Sequence, residues 1–154
     1  MILHFAYGSN MSRAIMRRHA PDAAPIGTAT LAHHRFIITA DGYASVERER
    51  AASVHGVLWR LTPRDCVTLA AWENIAGGRY RAATLPVEHA GRRRLALTYT
   101  ARPLPAGRAK GKAKAGYMEL VIGAALEWRL PGAYIDALRH WLPKHPGGAG
   151  PRRL

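Results

Sequence analysis

The chain has 154 residues, 48% of them hydrophobic, which suffices to bury a core and excludes a disordered polypeptide. Lys and Arg number 23 against 10 Asp and Glu, a formal charge of +13 at pH 7, so anionic partners have to be weighed. Every apolar run is cut by Arg, His, Gly or Pro before it reaches the length of a membrane span, and no secretory leader is visible. The single Cys66 excludes an internal disulfide and suits a reducing compartment, so the expectation is a cytoplasmic protein without a membrane anchor.

In chain order, Ile2, Leu3, Phe5 and Ala6 read as a short strand that Gly8, Ser9 and Asn10 interrupt, since all three favour turns. Residues Ser12 to Arg18 follow as a helix, with Ser9 or Asn10 as the expected cap. A strand, a glycine turn and a helix start together aim backbone N–H groups at one point, where an anionic group can dock. The plainer alternative is a tight turn with an ordinary cap. Past the loop marked by Pro21 and Pro25, Ile26–Ala32 and Arg35–Thr39 read as two strand segments, followed by a turn at Asp41-Gly42. Glu47 to Arg50 reads as an exposed polar connection, and Ser53–Leu61 as a strand in which Gly56 marks a bulge or a close backbone approach.

Thr62-Pro63-Arg64-Asp65 carries the signals of a helix start: a cap, a proline at the first position and an acid that returns the capping bond. That helix continues to Glu73 and stops within Asn74 to Gly78. Arg79–Val87 and Arg92–Thr100 read as a hairpin around Ala90-Gly91. Arg102 to Gly116 is rich in Pro, Gly, Ala, Lys and Arg, the composition of a solvated loop or crossing connection. Two further helices are expected, over Tyr117–Leu130 and Ala133–Leu142, separated by Pro131-Gly132. The whole reads as one domain over residues 1–142 with a basic Pro/Gly-rich tail at 143–154. Its class is α+β, a small mixed sheet curling toward a barrel with flanking helices.

The basic residues cluster only at Arg92-Arg93-Arg94, at Arg108 to Lys114 and at Arg152-Arg153, with no aromatic side chains interleaved as platforms for bases. That distribution points to a solvated basic surface rather than a nucleic-acid groove. Eight histidines, among them His33-His34, have no matching cysteine or carboxylate cluster, so no metal set is expected; no glycine-rich nucleotide loop is present either.

Glu73 is the side chain that suggests chemistry. Three, four and seven residues back on its helix stand Ala70, Leu69 and Cys66, a stripe without charge. A carboxylate extending an apolar face is desolvated, which raises its pKa, and the free carbonyls of the last helical turn push the same way. A glutamate moved toward neutrality is suited to general acid–base work. The ordinary alternative is a side chain that turns to solvent or pairs with Arg79 or Arg81.

Tyr7-Gly8-Ser9-Asn10, the strand ending Trp59-Arg60-Leu61, the helix that delivers Glu73 and the Tyr80 that follows it resemble, in that order, the γ-glutamylcyclotransferase (AIG2-like) superfamily. Tyr117, with Gly123-Ala124, Leu130-Pro131 and Tyr134 after it, resembles the C-terminal pattern of that family, so the likeness covers most of residues 3 to 142. Asn74 stands where many relatives have Gly, Met11 where Leu is common, and the basic 102–116 segment is unusual. The resemblance implies cyclisation of a γ-glutamyl amide to 5-oxoproline, with release of an amine or amino acid and without a metal or nucleotide cofactor. It implies Glu73 as acid and base, and Tyr7, Gly8, Ser9, Asn10, Tyr80 and Tyr117 as substrate-binding residues. The connections Asp41–Arg50 and Arg102–Gly116 would wall the pocket. The two later tyrosines would otherwise be half-buried core residues. The alternative from another class is a noncatalytic module of the same fold that binds nucleic acid or another polyanion. The leaving group and the oligomeric state leave no mark on the sequence.

Overall fold

In a computed structural model, which describes residues 2–73, 78, 80–102 and 110–143, five strands close into a barrel in the order β1-β3-β2-β4-β5. These are β1 (Ile2–Ala6), β2 (Ala24–Ile38), β3 (Ala44–Leu61), β4 (Tyr80–His89) and β5 (Arg92–Ala101). Four helices flank them: α1 (Arg13–His19), α2 (Pro63–Trp72), α3 (Tyr117–Glu127) and α4 (Gly132–Arg139). Most neighbours pair antiparallel; β1 and β5 run parallel, so the sheet is mixed.

Two long ladders carry the barrel. The β2–β3 ribbon runs from Ala24 opposite Arg60 to Ile38 opposite Ala44, and the β4–β5 hairpin from Tyr80 opposite Ala101 to His89 opposite Arg92. The hairpin meets the ribbon at Thr30 with Glu88 and meets β1, which pairs along β3, at His4 with Leu97, each seam made by one pair among the described residues. At the second seam the His4 ring adds its own bond, from Nδ1 to the Leu97 carbonyl at 2.9 Å.

The ribbon corrects the reading of its strands. Ile26–Ala32 and Arg35–Thr39 are one strand, and Glu47 to Arg50 lies in β3 rather than in a connection. An irregularity between Ala32 and His34, where His33 takes φ 59°, absorbs the residues that break the alternation. The bond between His33 Nδ1 and the Arg50 carbonyl (3.0 Å) ties the two strands there. Gly56 is a close approach: a Cβ there would lie 2.3 Å from the Ala6 carbonyl oxygen and 2.8 Å from the Phe5 ring.

The helix starts follow local chemistry. Ser12, not Ser9 or Asn10, caps α1, accepting from the Ile15 amide at 3.3 Å; Ser9–Met11 instead forms a single 3-10 turn. At α2 the Thr62 hydroxyl accepts from the Asp65 amide (3.1 Å) and the Asp65 carboxylate from the Thr62 amide (3.3 Å). The remaining Asp65 oxygen accepts from the Asp22 amide, fixing α2 to the loop before β2. Phe5, Leu31, Ile38, Val57, Leu58 and Leu69, all fully buried, lie in the core that these elements share. Trp128, just past α3, donates from Nε1 to the Met11 carbonyl (2.7 Å), and the Arg13 guanidinium lies over its ring. The turn after β1 is thereby pinned from the C-terminal half of the chain.

The basic segment is less solvated than its composition suggests. The Gly111 amide donates to the Ile38 carbonyl, the Lys114 amide donates to the Gly42 carbonyl, and the Lys110 ammonium pairs with Glu47 at 2.9 Å. Residues 74–77, Arg79, 103–109 and the tail from 144 onward lie outside the described residues, and with them parts of the helix stop, the expected strand start and alternative Glu73 partner at Arg79, the basic segment and the expected tail.

Candidate active site

β1 ends in the turn Gly8-Ser9-Asn10, and α2 ends at Glu73, whose amide closes the last helical turn on the Leu69 carbonyl (2.8 Å). The two chain ends face one cavity of about 520 Å³ beside the β1–β5 seam. The six binding residues read from the sequence, Tyr7, Gly8, Ser9, Asn10, Tyr80 and Tyr117, line it together with Glu73.

The Glu73 carboxyl is turned inward. Asn10, itself buried, donates from Nδ2 to Oε1 at 3.0 Å. Burial raises the Glu73 pKa from 4.5 to about 7, and the Asn10 bond, which favours the ionised form, opposes part of that rise. The group therefore gains and loses a proton easily near neutral pH. The other end of the Asn10 amide is held as well: Oδ1 lies 3.3 Å from His19 Nδ1, a bond in which the ring donates. His19 in turn packs on the Trp72 ring, with centroids 3.8 Å apart.

The tyrosines form a second layer. Tyr80 donates to the Ala44 carbonyl at 2.7 Å, while the Tyr117 oxygen accepts from the Ala44 amide at 3.3 Å. One peptide segment at the start of β3 is thus held from both sides. Tyr7 donates to the Tyr99 carbonyl, which closes the top of the seam. Burial pushes the Tyr117 hydroxyl up to about 12, with hydrogen bonds to Ala44 and Ser9 pulling the other way, and Tyr99 likewise to about 12. Tyr7 is also raised well above the ordinary tyrosine value, again chiefly by burial. All three stay protonated over the range in which Glu73 titrates. Gly8 is demanded by this packing, because a Cβ there would stand 2.8 Å from the Tyr117 oxygen and 3.4 Å from Ala44 Cβ.

Two expectations about the site change. The start of α1 does not face the cavity; the 3-10 turn does, and α1 contributes Ile15, Arg18 and His19 from its side. The wall takes Tyr43 and Ala44 from the 41–50 stretch, but none of the described residues between 102 and 116. Sequence reasoning also missed His4, Tyr99, His19 and Trp72. His4 is buried with its Nε2 unpartnered, and burial lowers its pKa to about 4, so its single proton sits on the Nδ1 that faces Leu97. Position 72, one before the carboxylate, is the one available signal for Trp72; His4 and Tyr99 reach the cavity through strand pairing, and His19 through its packing on Trp72.

The chain belongs to the AIG2-like family, whose model matches residues 53–138, more than half of its length. Among solved structures it is similar to a gamma-glutamyl cyclotransferase, with a TM-score of 0.84 and 21% identity over 96% of this chain and 91% of that one. It is equally similar to the human uncharacterized protein loc79017, with a TM-score of 0.84 and 22% identity over the same shares. YkqA from Bacillus subtilis follows, with a TM-score of 0.76 and 26% identity over 94% of this chain and 56% of YkqA. No curated protein matches the chain. The closed five-stranded mixed barrel with four flanking helices is the γ-glutamyl cyclotransferase-like fold. Among the described residues no helix is long and apolar enough to cross a membrane.

Proposed function

We propose that the protein is an enzyme of the γ-glutamylcyclotransferase type, converting a γ-glutamyl amide to 5-oxoproline and a free amine or amino acid. The observation that carries this reading is the Glu73 carboxyl, partly buried at the end of α2, bonded to Asn10 of the opposite turn and moved to a pKa of about 7.

The chemistry asks little beyond shape and one proton carrier. Amine and carbonyl belong to one substrate, so holding its folded conformer supplies much of the rate through proximity. The substrate's α-ammonium gives a proton to the Glu73 carboxylate, and the freed amine attacks the γ-carbonyl carbon, forming the ring C–N bond. As the tetrahedral intermediate collapses, the bond to the leaving nitrogen breaks and that nitrogen takes a proton from the Glu73 carboxylic acid, while the second proton of the ring nitrogen passes to the released amine, which departs as an ammonium. The carboxylate is regenerated, and no water is consumed. In this reading the Gly8–Asn10 turn holds the α-carboxylate through backbone N–H groups and the Ser9 hydroxyl. Tyr80 and Tyr117 keep the facing segment at Ala44 in register.

The test is a panel of γ-glutamyl amino acids and amines incubated with the wild type and with Glu73→Gln, with 5-oxoproline read by mass spectrometry. Lactam from the wild type and a loss of at least a thousandfold in the variant are expected. Free glutamate in place of lactam would mean hydrolysis. Absence of both, with polyanion binding that survives Glu73→Gln and falls steeply with salt, would favour the noncatalytic alternative.

A further inference from the structure

The catalytic cavity does not end at Glu73. A second, shallower hollow of about 450 Å³ adjoins it, lined by Arg18, His19, Thr68, Ala71 and Trp72. Arg18, His19 and Trp72 border both, so the two form one groove that passes the carboxylate. Its floor is aromatic. Trp72 is 63% exposed, an unusual position for a large ring next to a buried acid, and the His19 ring stacks against it. Burial lowers the His19 pKa, aided by the neighbouring Arg18 charge, so near neutral pH the imidazole is an uncharged plate. Among the described residues no carboxylate pairs with Arg18, and no acid other than Glu73 borders either hollow.

We infer that this groove is the subsite for the leaving group, and that it selects γ-glutamyl amides whose leaving group is an aromatic amino acid with a free carboxylate. The inference rests on the cyclotransferase reading of Glu73. Trp72 and His19 offer a flat face to a ring, and the unpaired Arg18 guanidinium offers a charge-assisted bond to a carboxylate. Placement follows from the chemistry: Glu73 must reach the leaving nitrogen to protonate it, so the group attached to that nitrogen lies just beyond Glu73. The residue before Glu73 and the adjoining side of α1 form the wall there. A cationic leaving group, such as a diamine, meets Arg18 and is disfavoured.

Three substrates separate the two recognition elements: γ-glutamyl-phenylalanine, γ-glutamyl-alanine, and γ-glutamyl-phenethylamine, which keeps the ring but lacks the carboxylate. With the wild type, kcat/KM for the phenylalanine compound should exceed each of the others by about five- to tenfold, the size expected of one exposed ring stack or one ion pair. Trp72→Ala should bring the phenylalanine-to-alanine ratio close to one, and Trp72→Phe should restore most of it. Arg18→Gln should erase the gap between the phenylalanine and phenethylamine compounds, a gap that also shrinks as salt is raised. Both side chains are exposed, so the variants test recognition rather than folding. If all three compounds give 5-oxoproline with ratios near one, or with ratios that neither variant changes, the subsite is refuted while the cyclotransferase reading stands. If none gives 5-oxoproline while other γ-glutamyl compounds do, the subsite falls alone; if no γ-glutamyl compound gives it, both fall.

Discussion

Glu73→Gln should make the protein more stable at pH 8 and leave it unchanged at pH 4. Burial raises the folded-state carboxyl to about 7 from the 4.5 of an ordinary glutamate, so between those values the folded chain holds a proton that the unfolded chain has lost. Stability from this group is therefore fully present below pH 4.5 and is lost as the pH rises through 7. At about 1.4 kcal/mol per unit, with a discount for the partial exposure of the site, the loss is about 2–3 kcal/mol. Glutamine keeps the shape, still accepts from Asn10 and never ionises, so it escapes the loss. Urea unfolding of both proteins from pH 4 to 8 measures the difference directly; by melting it amounts to roughly 4–12 °C at pH 8. A stability difference that stays flat across that range would refute the buried, neutral-leaning carboxyl, and with it the proton carrier of the proposed reaction.

Three more outcomes follow from the same geometry. Asn10→Leu removes the bond that favours the ionised carboxylate, so the acid limb of the kcat/KM profile should move above 7 and activity at pH 7 should fall several-fold; a profile that moves down contradicts the assignment. Gly8→Ala drives a methyl to 2.8 Å from the Tyr117 oxygen, and should lower stability by about 1–3 kcal/mol and activity by more than tenfold, read by melting and by 5-oxoproline release. Tyr80→Phe strips the Ala44 carbonyl of its donor and should lower stability by about 1–3 kcal/mol; combined with Tyr117→Phe in a double-mutant cycle, the two losses should not add, because both hydroxyls hold the same residue.

Local chemistry made much of this structure readable. The α2 start is written in four consecutive residues, Thr62 to Asp65, and its length delivers Glu73 to the edge of the sheet. The two-residue turn Ala90-Gly91 takes positive φ at both positions, as a tight hairpin requires. What escaped reading depends on partners far along the chain. Ser9 and Asn10 both have the side chain of a cap, but the Asn10 amide donates to a carboxylate 63 positions away, and the cap falls to Ser12. The sequence pattern divides β2 at His33-His34 and makes Glu47 to Arg50 a connection, because neither stretch alternates apolar with polar, and nothing local announces that His33 absorbs the irregularity. His4 and Tyr99 are unremarkable strand residues until the parallel seam sets their rings 5.4 Å apart beside the cavity. The mouth formed by Arg18, His19 and Trp72 likewise joins two helices whose packing no periodicity encodes.

The His4–Leu97 seam has a mechanical consequence. Where β2 and β3 share many rungs, β1 and β5 share one among the described residues, flanked by the His4 imidazole bond and the Tyr7 hydroxyl bond to the Tyr99 carbonyl. Deformation of the barrel concentrates where its rungs are fewest, at the β1–β5 and β2–β4 seams, so the wall beside Glu73 yields more readily than the ribbon. Deuterium should enter the amides flanking Leu97 well before those around Val57, and a bulky guest is accommodated most cheaply by spreading the β1–β5 seam.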